Sequence, residues 1–241
     1  MTFHILGPVE VRRDGAPLPL GGRKQRTILA VLLLNRARTV STETLMSLLW
    51  GDDPPRSVQA QLHNLVSRIR RAAGPSGRIH RRYDGYQLDA DDADLDLARF
   101  DAYTALGRAA LADRQPRRAA DAFQLALGQW GGPALHGVTE QLADRERHRL
   151  EERRLAVLAD RFEAELELGA VERLIPELTG TVRAWPFHDR FRGQLMRALH
   201  GSGRRAEALA CYADGDARYR QELGISLGHD LAQLHGRILR A

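Results

Sequence analysis

Between Val58 and Ile69 the apolar residues Val58, Leu62, Leu65, Val66 and Ile69 recur at i, i+4, i+7, i+8 and i+11, the period of a helix with one buried stripe. The other side of that helix carries His63, Asn64, Ser67, Arg68, Arg70 and Arg71, with no acidic residue between Ser57 and Ala73. Pro54-Pro55 before it cannot be helical, because consecutive prolines remove donors and fix the backbone. Gly74-Pro75-Ser76-Gly77 closes it.

The preceding pattern predicts short strands at Phe3-Leu6, Val9-Arg12 and Leu18-Leu20, with Asp14-Gly15 as a hairpin turn. A mostly buried helix is expected from Arg23 to Asn35, its wide apolar face made by Ile28, Leu29, Val31, Leu32 and Leu33. Another opens near Val40, with Ser41 or Thr42 as N-cap and Glu43 at the favourable end of the dipole, and stops at Trp50-Gly51. After the basic helix, Arg78-Tyr83 and Tyr86-Leu88 flank Asp84-Gly85 as a second, basic hairpin. The order of strands, three helices and a hairpin is that of a winged helix-turn-helix.

From about Leu95 the texture changes to Ala, Leu, Arg and Glu with helical periodicity. Helices are expected near 96–112, 116–130, 139–169, 172–184, 188–201, 204–223 and 228–240. Ala120-Asp121-Ala122 and Ala206-Glu207-Ala208 each follow a turn, as in tetratricopeptide-like helix pairs, although the repeat is degenerate. The expected fold is therefore mainly α with a small antiparallel β part. A winged-helix domain over 1–94 is followed by an all-α, tetratricopeptide-like domain over 95–241.

Charge sharpens this picture. The net charge of +5 is uneven, since residues 1–90 hold 14 Lys and Arg against 7 Asp and Glu, leaving a slight acidic excess in the rest. The amino-terminal part is thus the candidate nucleic-acid surface. Asn reads adenine and Arg reads guanine by bidentate hydrogen bonds in the major groove, while further arginines neutralise phosphates. The alternative is a solvated basic helix on an interaction scaffold, with the amino-terminal domain docking protein instead of DNA.

Other chemistry finds no foothold. The single cysteine, Cys211, excludes an internal disulfide and is expected to be a buried helical residue. Nine histidines show no metal-ligand spacing on a shared face, and no nucleophile elbow or Ser/His/Asp arrangement can be nominated, so no enzyme activity, metal or cofactor is expected. Trp50, Trp130 and Trp185 sit at helix ends beside Gly or Pro and are expected to close cores. No apolar run approaches the ~20 residues of a membrane span, and the first residues lack a signal-peptide pattern, so a cytoplasmic protein is expected.

With these elements in place, the chain resembles the Streptomyces antibiotic regulatory protein family, in which an OmpR-type winged helix precedes a bacterial transcriptional activation domain. The resemblance rests on Gly21-Gly22-Arg23-Lys24-Gln25-Arg26, Leu49-Trp50-Gly51-Asp52 with Pro54-Pro55, Val66-Ser67-Arg68-Ile69-Arg70-Arg71, Gly85-Tyr86-Gln87-Leu88, Ala206-Glu207-Ala208-Leu209 and Glu222-Leu223-Gly224-Ile225. Ser226-Leu227-Gly228 and His200 depart from the family pattern, both away from the basic helix.

The resemblance implies an activator of secondary-metabolite genes that binds direct repeats in double-stranded promoter DNA and recruits RNA polymerase. By position, Asn64, Ser67 and Arg68 would meet base edges beside His63. Arg56, Arg70 and Arg71 would meet phosphates, and Arg81 and Arg82 on the wing the backbone or minor groove. Asp52 and Asp53 fall in the loop that faces polymerase in this architecture, where they would pair with a sigma factor; otherwise they are an ordinary surface turn. The chain has no leucine-zipper-like seam, so any homodimer is expected to depend on DNA. A repressor using the same face remains open. No P-loop, receiver or forkhead-type module is visible, and regulation is expected through expression or a ligand.

Overall fold

The computed structural model describes residues 1–73 and 78–241, so the closing turn expected at Gly74–Gly77 lies outside the described residues. The first elements are β1 (Thr2–His4), β2 (Glu10–Arg13), β3 (Ala16–Pro17), α1 (Arg23–Leu34), β4 (Val40–Ser41), α2 (Thr42–Trp50), α3 (Val58–Ala73), β5 (Arg78–Arg82) and β6 (Gly85–Asp89). A 3-10 turn at Asp92–Asp94 leads into α4 (Asp96–Ala112), α5 (Pro116–Leu127), α6 (Glu140–Glu167) and α7 (Val171–Ala184). The chain continues through α8 (Asp189–Gly201), α9 (Arg205–Leu223) and α10 (His229–Arg240).

Two compact units emerge, one of Met1–Ala105 with Leu125–Leu155, the other of Leu106–Gln124 with Ala156–Ala241. They are cut differently from the 1–94 and 95–241 division read from the sequence.

In the first unit β1, β2 and β3 form an antiparallel sheet. Asp14 and Gly15 both take positive φ, 52° and 83°, as a two-residue hairpin with the right strand twist requires. The third strand lies at Ala16–Pro17, directly after the turn, and the Leu18–Leu20 stretch expected to form it is not a strand; Leu18 still donates its N–H to Val11. α1 is capped by Gln25, whose side chain accepts the Gly22 N–H at 3.2 Å, and it buries every residue from Thr27 to Leu33. Val40-Ser41, expected to open a helix, instead forms β4 against Gly85 and Tyr86, and Ser41 then caps α2 by accepting the Thr44 N–H.

The loop before α6 belongs to this unit. Gly131 and Leu135 donate backbone N–H groups to Leu6 and Ile5, and His136 and Val9 bond to Gly7 and His136. Asp96, at the start of α4, accepts the N–H groups of Ile5 and Leu6 at 2.8 and 2.9 Å. Thr139 donates to the Leu48 carbonyl at 2.7 Å and receives the Thr27 hydroxyl.

The second unit is helical. α4 and α5 approach so closely that a Cβ on Gly107 would fall 2.4 Å from the Phe123 ring. α8 and α9 meet with Ala208 fully buried, the small-residue contact expected of such pairs.

Two core expectations need correcting. Trp185 is 43% exposed, because it lies beyond Leu178, the last buried position of α7. Cys211 is helical but only half-buried. Trp50 and Trp130 are half-buried: Lys24 Nζ lies 4.3 Å from the Trp50 ring centroid, and Trp130 meets the Phe100 ring edge-on.

Candidate nucleic-acid interface

α3 starts where Pro55 accepts the Val58 N–H, with Ser57 accepting the Gln61 N–H and side-chain amide. Its apolar stripe is fixed in the core: Leu62 and Ile69 are fully buried and Val66 is 1% exposed. That anchorage turns the rest of the helix outward. His63, Asn64, Ser67, Arg68, Arg70 and Arg71 are all exposed, as is Arg56 in the preceding loop. The first turn has no acidic residue and the last carries Arg70 and Arg71 beside the negative end of the dipole.

The wing is tied to this helix. β5 pairs with β6 from Arg78↔Asp89 to Arg82↔Gly85. Arg70 donates Nε–H to the Ile79 carbonyl at 2.9 Å, and its guanidinium carbon lies 6.0 Å from the Tyr86 ring centroid. His63 meets the same ring edge-on at 6.3 Å. Arg70, expected by its position to meet a phosphate, has a structural task here, since it joins α3 to the wing. The sequence pattern could not show this, because the acceptor is a backbone carbonyl.

The hairpin turn falls on Tyr83-Asp84, one residue before the expected Asp84-Gly85. Tyr83 takes a positive φ of 49° and is 95% exposed, placing a phenol ring at the tip beside Arg81 and Arg82. Sequence reasoning missed this residue; its signal was an aromatic next to a turn dipeptide. Gly85 serves a different need: a Cβ there would fall 2.1 Å from the Val40 carbonyl oxygen, so only glycine lets β4 close on β6.

Asp52 and Asp53 are exposed in the α2–α3 loop. The loop leaves α2 at Gly51, whose φ of 61° favours glycine and whose position faces the Gln141 side chain.

Among the described residues Arg56, Arg68, Arg71, Arg81 and Arg82 have no hydrogen-bond or ion-pair partner. Several arginines elsewhere, such as Arg149, Arg161, Arg197 and Arg218, hold carboxylates, although others among the described residues, such as Arg183, do not. A cluster of unneutralised guanidinium groups on a rigid helix and its neighbouring hairpin can engage an anionic polymer at several points at once.

Residues 95–239 match the family described as bacterial transcriptional activator domain, and residues 16–88 the family described as transcriptional regulatory protein, C terminal. The chain is 37% identical over 241 residues to the regulatory protein AfsR of Streptomyces griseus, all of this chain aligning with 25% of that protein. It is 33% identical over 252 residues to the regulatory protein DnrI of Streptomyces peucetius, covering all of this chain and 93% of the relative. The solved structure of Mycobacterium tuberculosis EmbR in complex with a low-affinity phosphopeptide matches with a TM-score of 0.96 at 32% identity, over 99% of this chain and 65% of that one.

Proposed function

The chain belongs to the Streptomyces antibiotic regulatory protein family of transcriptional regulators, and from that premise we propose that it is a sequence-specific DNA-binding activator of secondary-metabolite genes in the cytoplasm. Supporting this is one arrangement: an exposed, unpaired arginine-and-amide face on α3 whose opposite face is locked into a core.

In this reading α3 lies in the major groove. Asn64, Ser67 and Arg68, flanked by His63, meet base edges, where Arg favours guanine and Asn adenine. Arg56, Arg71 and the free N–H groups of Arg70 neutralise phosphates and set the register. Arg81, Arg82 and Tyr83 bring the wing to the backbone or the minor groove. Protomers bind direct repeats and dimerise only on DNA, where half-sites about one helical turn apart place them on one face of the duplex. Asp52 and Asp53 then present carboxylates to basic residues of a sigma factor and recruit RNA polymerase.

Fluorescence anisotropy with the intergenic duplex beside its gene tests the DNA-binding part. Five arginines placed at the phosphate backbone in this reading, Arg56, Arg70, Arg71, Arg81 and Arg82, predict that log affinity falls with log salt at a slope of about −4 to −5 per protomer. A slope near zero, or equal affinity for unrelated duplexes at every salt concentration, contradicts it.

A further inference from the structure

The second compact unit buries a charge that its own residues leave uncompensated. Arg192 on α8 is 4% exposed. It donates from Nη1 to the Cys211 carbonyl at 2.9 Å and from Nη2 to the Pro186 carbonyl at 3.0 Å, while its Nε has no partner. Among the described residues no carboxylate lies within ion-pair distance of it. The guanidinium is seated against α9 where residue 215 is glycine, since a Cβ there would fall 2.5 Å from its central carbon. Carbonyl oxygens satisfy N–H groups without cancelling the charge, and an uncompensated buried cation is costly. Arg161, the other buried arginine of this unit, is by contrast met by Glu165 and Glu177.

Beside Arg192 opens a cavity of about 470 Å³ between α7, α8 and α9. Ile175, Val182, Leu195 and Leu199 give it an apolar wall. At its edge Arg183 is exposed and, among the described residues, unpaired. Arg204 and Arg218 also line it but are held by Glu207 and Glu222, and Asp214 is its remaining carboxylate. Cationic groups therefore outnumber anionic ones around an apolar space.

We propose that this cavity binds a small organic monocarboxylate, its apolar body against Ile175, Val182, Leu195 and Leu199 and its carboxylate on Arg192, with Arg183 adding charge at the mouth. Each terminal nitrogen of Arg192 carries a second N–H beyond the one its carbonyl takes, so the guanidinium retains charged donors for a carboxylate. A concave, mostly apolar space of this volume with a few convergent polar groups has the character of a small-molecule site. The assignment concerns α7 to α9 alone and stands whether or not α3 reads DNA.

Cys211 supplies the reporter. It is the only cysteine of the chain and lines the same cavity. Alkylation of the full chain by iodoacetamide is followed with sodium hexanoate or neutral hexanamide added. Hexanoate should slow the reaction saturably, by about 10-fold at ten times its dissociation constant, with hexanamide changing it by less than about 1.5-fold. Arg192→Gln should erase the difference between the two compounds. Because Arg192 also ties two carbonyls, a second variant is Ala210→Trp, at an exposed position lining the cavity, which should abolish protection by hexanoate while the circular dichroism spectrum and melting temperature are retained. Failure of hexanoate to protect, equal protection by both compounds, or protection that survives Ala210→Trp overturns the proposal.

Discussion

Burial raises the carboxyl of Asp96 to about 6, against the opposing pull of the Leu6, Ile5 and Leu97 N–H groups and the Arg99 charge. Such a group binds more protons folded than unfolded between its unfolded value of 3.8 and that folded value. Its contribution is therefore most favourable at the acid end of this window and is lost as pH rises through about 6, by up to ~3 kcal/mol. His4 lies 3.8 Å away, but burial, then Arg12 and Arg99, lower its own value, so it offers little countercharge near neutrality. Urea unfolding of the native protein and Asp96→Asn should show the native form losing stability relative to the variant between about pH 4 and 6.5. Parallel stability profiles contradict this. Among the interface side chains, the outward set on α3 was readable because helical period alone separates Arg68 from Ile69. The structural bond of Arg70 was hidden, since its partner is the carbonyl of Ile79 on a strand that no period in α3 can announce. Tyr83 was hidden by the pull of Asp84-Gly85, a strong turn signal displaced here by one position.

α3 and α7 were the most readable helices, because each repeats an apolar stripe over several turns and is followed within two residues by Gly or Pro in the sequence. β4 is the opposite case. It has two residues, one of which also caps α2, and it exists only because Gly85, far along the chain, lets Val40 approach. Gly85→Ala must open this contact, and we expect a loss of about 2–4 kcal/mol. Faster amide hydrogen exchange in β6 should accompany it. Unchanged denaturant stability would show that β4 and β6 can part without cost. The wing is held at both edges, by Val40–Ser41 on β6 and by Arg70 on β5, so its arginines project from a supported hairpin instead of a free loop.

The change of texture near Leu95 marks where strands give way to helices, and the family match begins at the same residue. Packing follows another rule. The first unit draws in Leu125–Leu155 through backbone bonds from Gly131, Leu135 and His136 and through Thr139, and backbone bonds leave no trace in side-chain pattern. A fragment of residues 1–94 lacks these partners and Asp96 as well. Its urea midpoint, followed by circular dichroism, should fall well below that of the full chain's first transition, and an equal midpoint contradicts the observed weld. The central claim is that the exposed face of α3 reads bases, and selection of bound duplexes from a randomised library by the native chain and by Arg68→Ala tests it most directly. We predict that the variant binds its best duplex about 1–3 kcal/mol more weakly and loses preference at one base pair of each half-site while keeping the rest. An identical selected sequence for both proteins would contradict it.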